Sequence, residues 1–352
     1  MPREIVHWSI LEGAREKLSS LDAVARLLDE HRAMAYLGAV AHDAPYYYRF
    51  GGDPFEHVAE LLHGSEGNDT FIPLRVLASA ISRDEMPAER APLWSFLLGL
   101  VSHAVTDWVF HPLVYYFTGD YNDGQKEQRR LARLRHRLLE TYLEAIFVSR
   151  REFLEQGRIL RLMKRTGDAL QPMSSLLDSI LTAEAFPYFE DGTSEAVELG
   201  ARMKVDAANG RWYDALRYLG YLQAAFLSPS ASRGARLLAH IAPGQVAQYE
   251  VLFNGLRRAP YPRLEQPLRY QNPVTGEEYT VSVFDLAAEA TEECAALFRR
   301  FEPLVSGEVR RAEEILGGLK GKSLSFGLPG VSTTEAKYFS AYGLELPGLE
   351  RE

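Results

Sequence analysis

The chain of 352 residues contains one cysteine, Cys294. It therefore has no intrachain disulfide and no zinc site built from several thiolates. Positive charge is also scarce: 39 Lys and Arg stand against 48 Asp and Glu, a formal net charge of −9. That balance argues against a dedicated nucleic-acid binder, while leaving room for one phosphate at a metal. Long hydrophobic runs are missing as well. The stretch Leu97-Leu-Gly-Leu-Val101 is far shorter than a bilayer span, and His103 and Asp107 follow it. Met1-Pro-Arg-Glu-Ile-Val-His7 contains no signal-peptide core. There is no internal repeat, low-complexity segment or evident amphipathic anchor, so any membrane contact is expected to be transient. These absences read as a soluble, cytoplasmic globular protein. With 46% hydrophobic residues it can bury a sizeable core.

What is abundant is helical periodicity. Apolar spacing predicts helices over 9–18, 21–42, 54–63, 71–82, 88–117, 124–150, 151–166, 168–182, 193–204, 209–226, 231–240 and 243–256. From about residue 257 the texture changes. Pro260, Pro262 and Pro267 break the pattern, and 268–284 reads as a hairpin around Asn272-Pro-Val-Thr-Gly276. One long helix over 285–318 follows, then an extended tail from 323 rich in Gly, Pro and Ser. The fold class is all-α: a multi-helix bundle with a mostly helical C-terminal extension carrying a small hairpin. A boundary near 155 divides a metal-binding region, 1–155, from an accessory region, 156–352, because every strong site candidate precedes it. The arginines over 129–137 read as the solvated face of an amphipathic helix.

The candidates cluster. Helix positions four apart lie about 40° apart, so His103, Asp107 and His111 share a face. His136 and Glu140 repeat the step on a second helix. An aspartate in the middle of an apolar helix is costly unless it is paired or metal-bound. Three imidazoles and two carboxylates facing one cavity suit zinc or a similar divalent ion, and hydrolysis is the first chemistry to expect of it. Upstream lie His7 at the start of the first helix, Asp43 at a helix end before Pro45, and the pair His57 and His63. Those two histidines are six apart and point to different sides of one helix. His63, just before Gly64, is the better ligand. The aromatics Tyr46, Tyr47, Tyr48, Phe50, Trp94, Trp108, Tyr115 and Tyr116 crowd the region. Most read as core, with Tyr46–Tyr48 on a loop as pocket candidates.

Together, His7, Asp43, His63, His103-x3-Asp107, His111 and His136-x3-Glu140 resemble the zinc-dependent phospholipase C family. Its relatives include the catalytic domain of glycosylphosphatidylinositol-specific phospholipase D and, more distantly, fungal single-strand nucleases. The resemblance covers roughly 5–150 and is most specific over 102–112 and 136–140. It implies that Asp43, His63, His103 and Asp107 hold one zinc and that His111, His136 and Glu140 hold a second. Asp107 would bridge to a third, which His7 helps to bind. A water made acidic by the metals would attack phosphorus, with Asp43 or Glu140 orienting it or acting as base. The substrate implied is a phospholipid or another phosphodiester. Two features depart from the family. Trp8 lies inside the chain after His7, where the secreted enzymes use a free N-terminal tryptophan. The three-residue gap from Asp107 to His111 is closer to the phospholipase D-like branch.

Two other classes stay open. The dipeptide His42-Asp43 suggests an HD-type phosphohydrolase, in which both residues would bind metal. A non-catalytic helical scaffold with a closed structural metal is the other. Spacing alone also admits a divalent metal other than zinc.

Overall fold

The computed structural model describes residues 4–48, 55–82, 90–147, 157–171, 211–228 and 261–340, with isolated positions 174, 177, 231, 233, 234 and 344. Its helices are α1 (Glu4–Glu16), α2 (Ala23–Glu30), α3 (Arg32–Ala41), α4 (Ala44–Tyr47), α5 (Phe55–Leu62) and α6 (Ile72–Ser82). They continue with α7 (Arg90–Thr118), α8 (Lys126–Phe147), α9 (Ile159–Thr166) and α10 (Arg211–Phe226). A two-stranded antiparallel hairpin, β1 (Leu268–Gln271) and β2 (Glu278–Val281), precedes α11 (Val283–Val305) and α12 (Ala312–Leu316). The fold is all-α with a small hairpin, as the periodicity predicts.

Helix α7 is the axis of the molecule. It is apolar on every side and 29 residues long, enough to cross a bilayer, yet its most apolar window is entirely buried inside the fold. A helix that is hydrophobic all round belongs in a core. Here α1, α3, α6, α8 and α11 surround it. Its closest neighbour is α3, and two glycines explain why. A Cβ on Gly38 would lie 2.1 Å from the Phe96 carbonyl oxygen, and one on Gly99 would lie 2.1 Å from that of Ala35. Without side chains at this crossing, the two backbones touch.

Helix α1 is pinned on two sides. The Ile5 N–H donates to the buried Glu144 carboxylate of α8 (3.3 Å), and Trp8 Nε1 donates to the Tyr36 carbonyl of α3 (3.0 Å). Helix α11 starts at a capping box made by Ser282 and Asp285. It packs on α1, α2 and α7, and Trp108 Nε1 of α7 reaches its Glu293 at 2.9 Å. One apolar cluster therefore runs from Ile5 to Leu324.

Several elements differ from expectation. The first helix starts at Glu4, so His7 lies within it. The helix expected over 21–42 breaks at His31, whose N–H closes α2 on the Leu27 carbonyl while its own carbonyl accepts from Met34 at the start of α3. Tyr46 and Tyr47 sit on the helical turn α4 rather than a loop. The helix expected over 285–318 is two, parted after Val305 where Gly307 takes φ 82°. Among its described residues the tail is not uniformly extended: Ser323–Phe326 is a buried turn, and Thr333–Glu335 is a 3-10 turn. The helix expected over 151–166 is described from Ile159. Those expected over 193–204 and 243–256 lie outside the described residues, as do most of 168–182 and 231–240.

Candidate metal centre

Each donor reaches the centre for a local reason. On α7, His103, Asp107 and His111 fall on one face, and all are buried. A two-residue link turns the chain from α3 into α4, with Asp43 as the N-cap residue and Pro45 in the first turn. The turn leaves Asp43 buried beside α7. His63 follows the last residue of α5, before Gly64 at φ 74°. His136 and Glu140 sit one turn apart on α8 and are buried. His7 is fully buried on α1, with its ring stacked on His103 at 4.2 Å.

The donor atoms form two groups: Asp43, His63, His103 and Asp107 in one, His111, His136 and Glu140 in the other. In the first, His63 Nε2 lies 3.2 Å from Asp43 Oδ1 and 3.4 Å from Asp107 Oδ2. His103 Nε2 lies 3.1 Å from Asp107 Oδ2 and 3.7 Å from Asp43 Oδ2. Two donors about 2.1 Å from one tetrahedral ion lie roughly 3.4 Å apart, so these separations suit ligands of a shared cation. In the second group, Glu140 Oε1 lies 2.7 Å from His136 Nε2 and 3.8 Å from His111 Nε2. Asp107 joins the groups. Its Oδ1 faces away from the first group, 3.5 Å from both His7 Nε2 and His111 Nε2.

The outer nitrogens fix the inner ones. His63 Nδ1 contacts the Ala59 carbonyl (2.6 Å), His103 Nδ1 that of Ala39 (2.8 Å) and His111 Nδ1 that of Leu324 (2.9 Å). Ala39 and Ala59 lie in the last turns of α3 and α5, and the Ala59 carbonyl also accepts the His63 N–H at 2.9 Å. A backbone carbonyl can only accept, so each Nδ1 carries hydrogen and each Nε2 faces inward as the atom that ligates once it is unprotonated. Among the described residues, those three Nε2 atoms, Asp43 Oδ1 and both Asp107 oxygens are buried without a hydrogen-bond partner. Unpaired buried polar atoms are costly, and this converging set fits a divalent cation.

The electrostatics agree. Burial draws His7 and His111 down to about 3, so both stay neutral and able to ligate. Burial also holds His136 well below its ordinary value. At His63, burial is outweighed by the Asp107 and Asp43 carboxylates, and the value rises to about 9. His103 is raised for the same reasons. Asp107 is held well below the usual carboxylate range: burial opposes this, but His111 and His103 outweigh it.

A cavity of about 340 Å³ opens onto one side of the centre. His63, His111, His136 and Glu140 form its inner wall; Tyr46, Tyr47, Tyr115 and Tyr121 line its flanks. Arg133 and Arg137 of α8 also line it, and Arg133 is exposed, as the solvated face of the helix leads one to expect. Spacing offered a clue, since Arg133 and Arg137 flank His136 at three and one residues. The tail contributes Ser325, Phe326 and Ser332–Thr334 to the mouth, which nothing in the sequence announces. Trp94 and Trp108 are core residues. His42 stacks on His103 at 4.6 Å but belongs to neither donor group, contrary to what an HD-type site requires. The His57 side chain and Phe50 lie outside the described residues.

An all-α bundle whose inner faces present two adjoining sets of imidazole and carboxylate donors defines a class: helical proteins organised around neighbouring metal sites. Over residues 6–183, half its length, the chain matches the zinc-dependent phospholipase C family, and it belongs to that family. The match spans every donor from His7 to Glu140. No curated protein and no solved structure matches the chain to a significant degree.

Proposed function

We propose that the protein hydrolyses the phosphodiester of a phospholipid head group, or a closely related phosphodiester, by attack of water at phosphorus. The carrying observation is that the buried donors do not form a closed box: His63, His111, His136 and Glu140 face the cavity. A structural site is closed, whereas a catalytic one keeps an open position, which favours hydrolysis over the scaffold reading. Asp43, His63, His103 and Asp107 hold one zinc, and His111, His136 and Glu140 a second. His7 and Asp107 Oδ1 supply donors for a third. Zinc bound there supplies Lewis-acid chemistry, neutralising phosphoryl oxygens and making water acidic.

The residues do the rest. Glu140 lines the cavity, whereas Asp43 does not. Glu140 is therefore the carboxylate that orients the attacking water and takes its proton, and Asp43 is a ligand only. Arg133 and Arg137 bind non-bridging phosphoryl oxygens as charge builds on them. Tyr46, Tyr47 and Tyr115 present ring faces to the head group. The new oxygen–phosphorus bond forms as the ester bond to the alcohol breaks, leaving an alcohol and a phosphomonoester. The reading includes a cytoplasmic setting, and an N-terminal catalytic region to about residue 155 that the remainder assists.

Elemental analysis of the untreated protein, followed by assays on phosphatidylcholine and bis-nitrophenyl phosphate, tests the proposal. Two or three zinc ions per chain and zinc-dependent release of phosphomonoester or nitrophenol are expected. Bound zinc without hydrolysis of any phosphodiester would favour the scaffold; a chain that takes up no zinc would refute the metal site.

A further inference from the structure

The family match ends at residue 183, yet one contact of the metal centre comes from far beyond it. The Leu324 carbonyl accepts from His111 Nδ1 (2.9 Å), and the Leu324 N–H donates to the His63 carbonyl (2.9 Å). One fully buried residue thus touches a histidine of each donor group through its two backbone polar groups. We infer that residues 321–340 form a strap that is a working part of the metal centre, with Leu324 as the positioning residue that aims His111 at the second metal. This rests on the functional reading only in that the donors bind metal.

The strap is held for this task. The Ser323 N–H donates to the Leu328 carbonyl and the Gly327 N–H to that of Ser323, closing a tight turn around Leu324. Gly327 takes φ 69°, and a Cβ there would lie 2.5 Å from the Trp108 carbonyl oxygen. Only glycine suits both demands. Lys322 pairs with Glu293 at 3.0 Å and sits over the Trp108 ring, while Asn272 Nδ2 donates to the Phe326 carbonyl at 2.9 Å. Further along, the Thr333 N–H donates to the Ser65 carbonyl at 2.8 Å. Helix α11, the hairpin and the loop after α5 all grip it.

The strap holds His63 only by its backbone, but it orients the ring of His111. His63 and His103 take their orienting carbonyls from Ala59 and Ala39, within the matched region, whereas His111 takes its from the strap. Displacing the strap should therefore weaken the second metal and spare the first. Two variants do this: Gly327→Val, which forces the turn off Trp108, and the milder Asn272→Asp. The latter keeps the side-chain oxygen that caps the hairpin turn and sets a carboxylate against the Phe326 carbonyl.

Zinc affinity of each site is read by chelator competition on the full chain, with cadmium-113 resonances distinguishing the sites. The wild type should show both. Either variant should lose about 10- to 100-fold in affinity at one site, the usual effect of removing such an outer partner, with the other within twofold. Nitrogen-15 shifts of the metal-free variants should show His111 no longer held as the Nδ1–H tautomer. If Gly327→Val fails to fold, Asn272→Asp carries the test. Unchanged affinity at both sites, or equal loss at both in a folded variant, would overturn the inference while leaving the metal-site reading intact. A wild type that binds no metal would overturn both.

Discussion

At the scale of single residues, Asp107 carries most weight, because its two oxygens face different donors: Oδ2 meets His63 and His103, Oδ1 meets His7 and His111. Asp107→Asn replaces one oxygen with an amide nitrogen that cannot ligate. The variant should lose the ion of the first group and retain about one zinc per chain, with its far-ultraviolet circular dichroism unchanged. Glu140→Gln touches only the second group, so it should keep the first ion and lose hydrolysis. Zinc content equal to wild type in both variants would show that the ligands lie elsewhere. Protons give a second test. His63, raised to about 9, is protonated near neutral pH in the metal-free chain, and the carboxylates also raise His103. Zinc accepts only neutral imidazole, so binding at pH 7 should release at least about one proton, that of His63. Calorimetry in buffers of different ionisation enthalpy counts them, and no release would refute the charged His63–carboxylate arrangement. The same shifts set the acid and base limits of the metal-free fold. His63 is raised from 6.5 to about 9, so its contribution is full below 6.5 and is lost as pH rises through 9. His7 and His111 are lowered to about 3, so theirs is full above 6.5 and is lost as pH falls toward 3. Urea midpoints of the metal-free chain should therefore peak near pH 6.5.

At the scale of elements, the crossing of α3 and α7 links packing to chemistry. The contact at Gly38 and Gly99 brings the Ala39 carbonyl to His103. Gly99→Ala must push the helices apart, at about 1–3 kcal/mol for an overpacked core. Its thermal midpoint should fall, and its first-site zinc affinity should fall with it. A lower midpoint with normal affinity would separate the two roles. Helix α8 serves the site through a different face. Arg133→Ala and Arg137→Ala should each reduce kcat/KM on the order of tenfold, the scale of one charge-assisted hydrogen bond, at unchanged zinc content. Equal activity would return both arginines to the solvated face expected of them. Such elements show what a sequence makes legible. His103, Asp107 and His111, like His136 and Glu140, are four apart on one helix, so local periodicity exposed them. The break at His31 has no glycine or proline to mark it, because it depends on how α2 and α3 pack. The break after Val305 did carry a signal in Gly307, which the apolar spacing of the surrounding residues masked.

At the scale of the whole molecule, the metal centre and the core stabilise each other. Its donors come from α1, α7, α8, the α3–α4 junction and the end of α5, and its outermost contact comes from Leu324. These long-range meetings were the least legible part of the site. No spacing rule relates residue 324 to residue 111, and only the packing of α11 and the hairpin delivers the strap. It follows that metal and fold are thermodynamically linked. Without a cation, Asp43, Asp107 and the inward imidazole nitrogens must share protons in a buried space that offers them few hydrogen bonds. A cation that binds only the folded chain adds about 4 kcal/mol per site at a thousandfold excess over its Kd. A domain of 150–250 residues gains about 2–4 °C per kcal/mol, so saturating zinc should raise the thermal midpoint by roughly ten degrees or more. Because one apolar cluster joins Ile5 to Leu324, that gain should appear as a single transition. Amide exchange should slow on zinc binding both in α7 and at Leu324, the two partners of the His111 contact. Protection gained in α7 alone would show that the strap follows the core passively, while protection gained in both would show that the metals grip the chain from both ends of that contact.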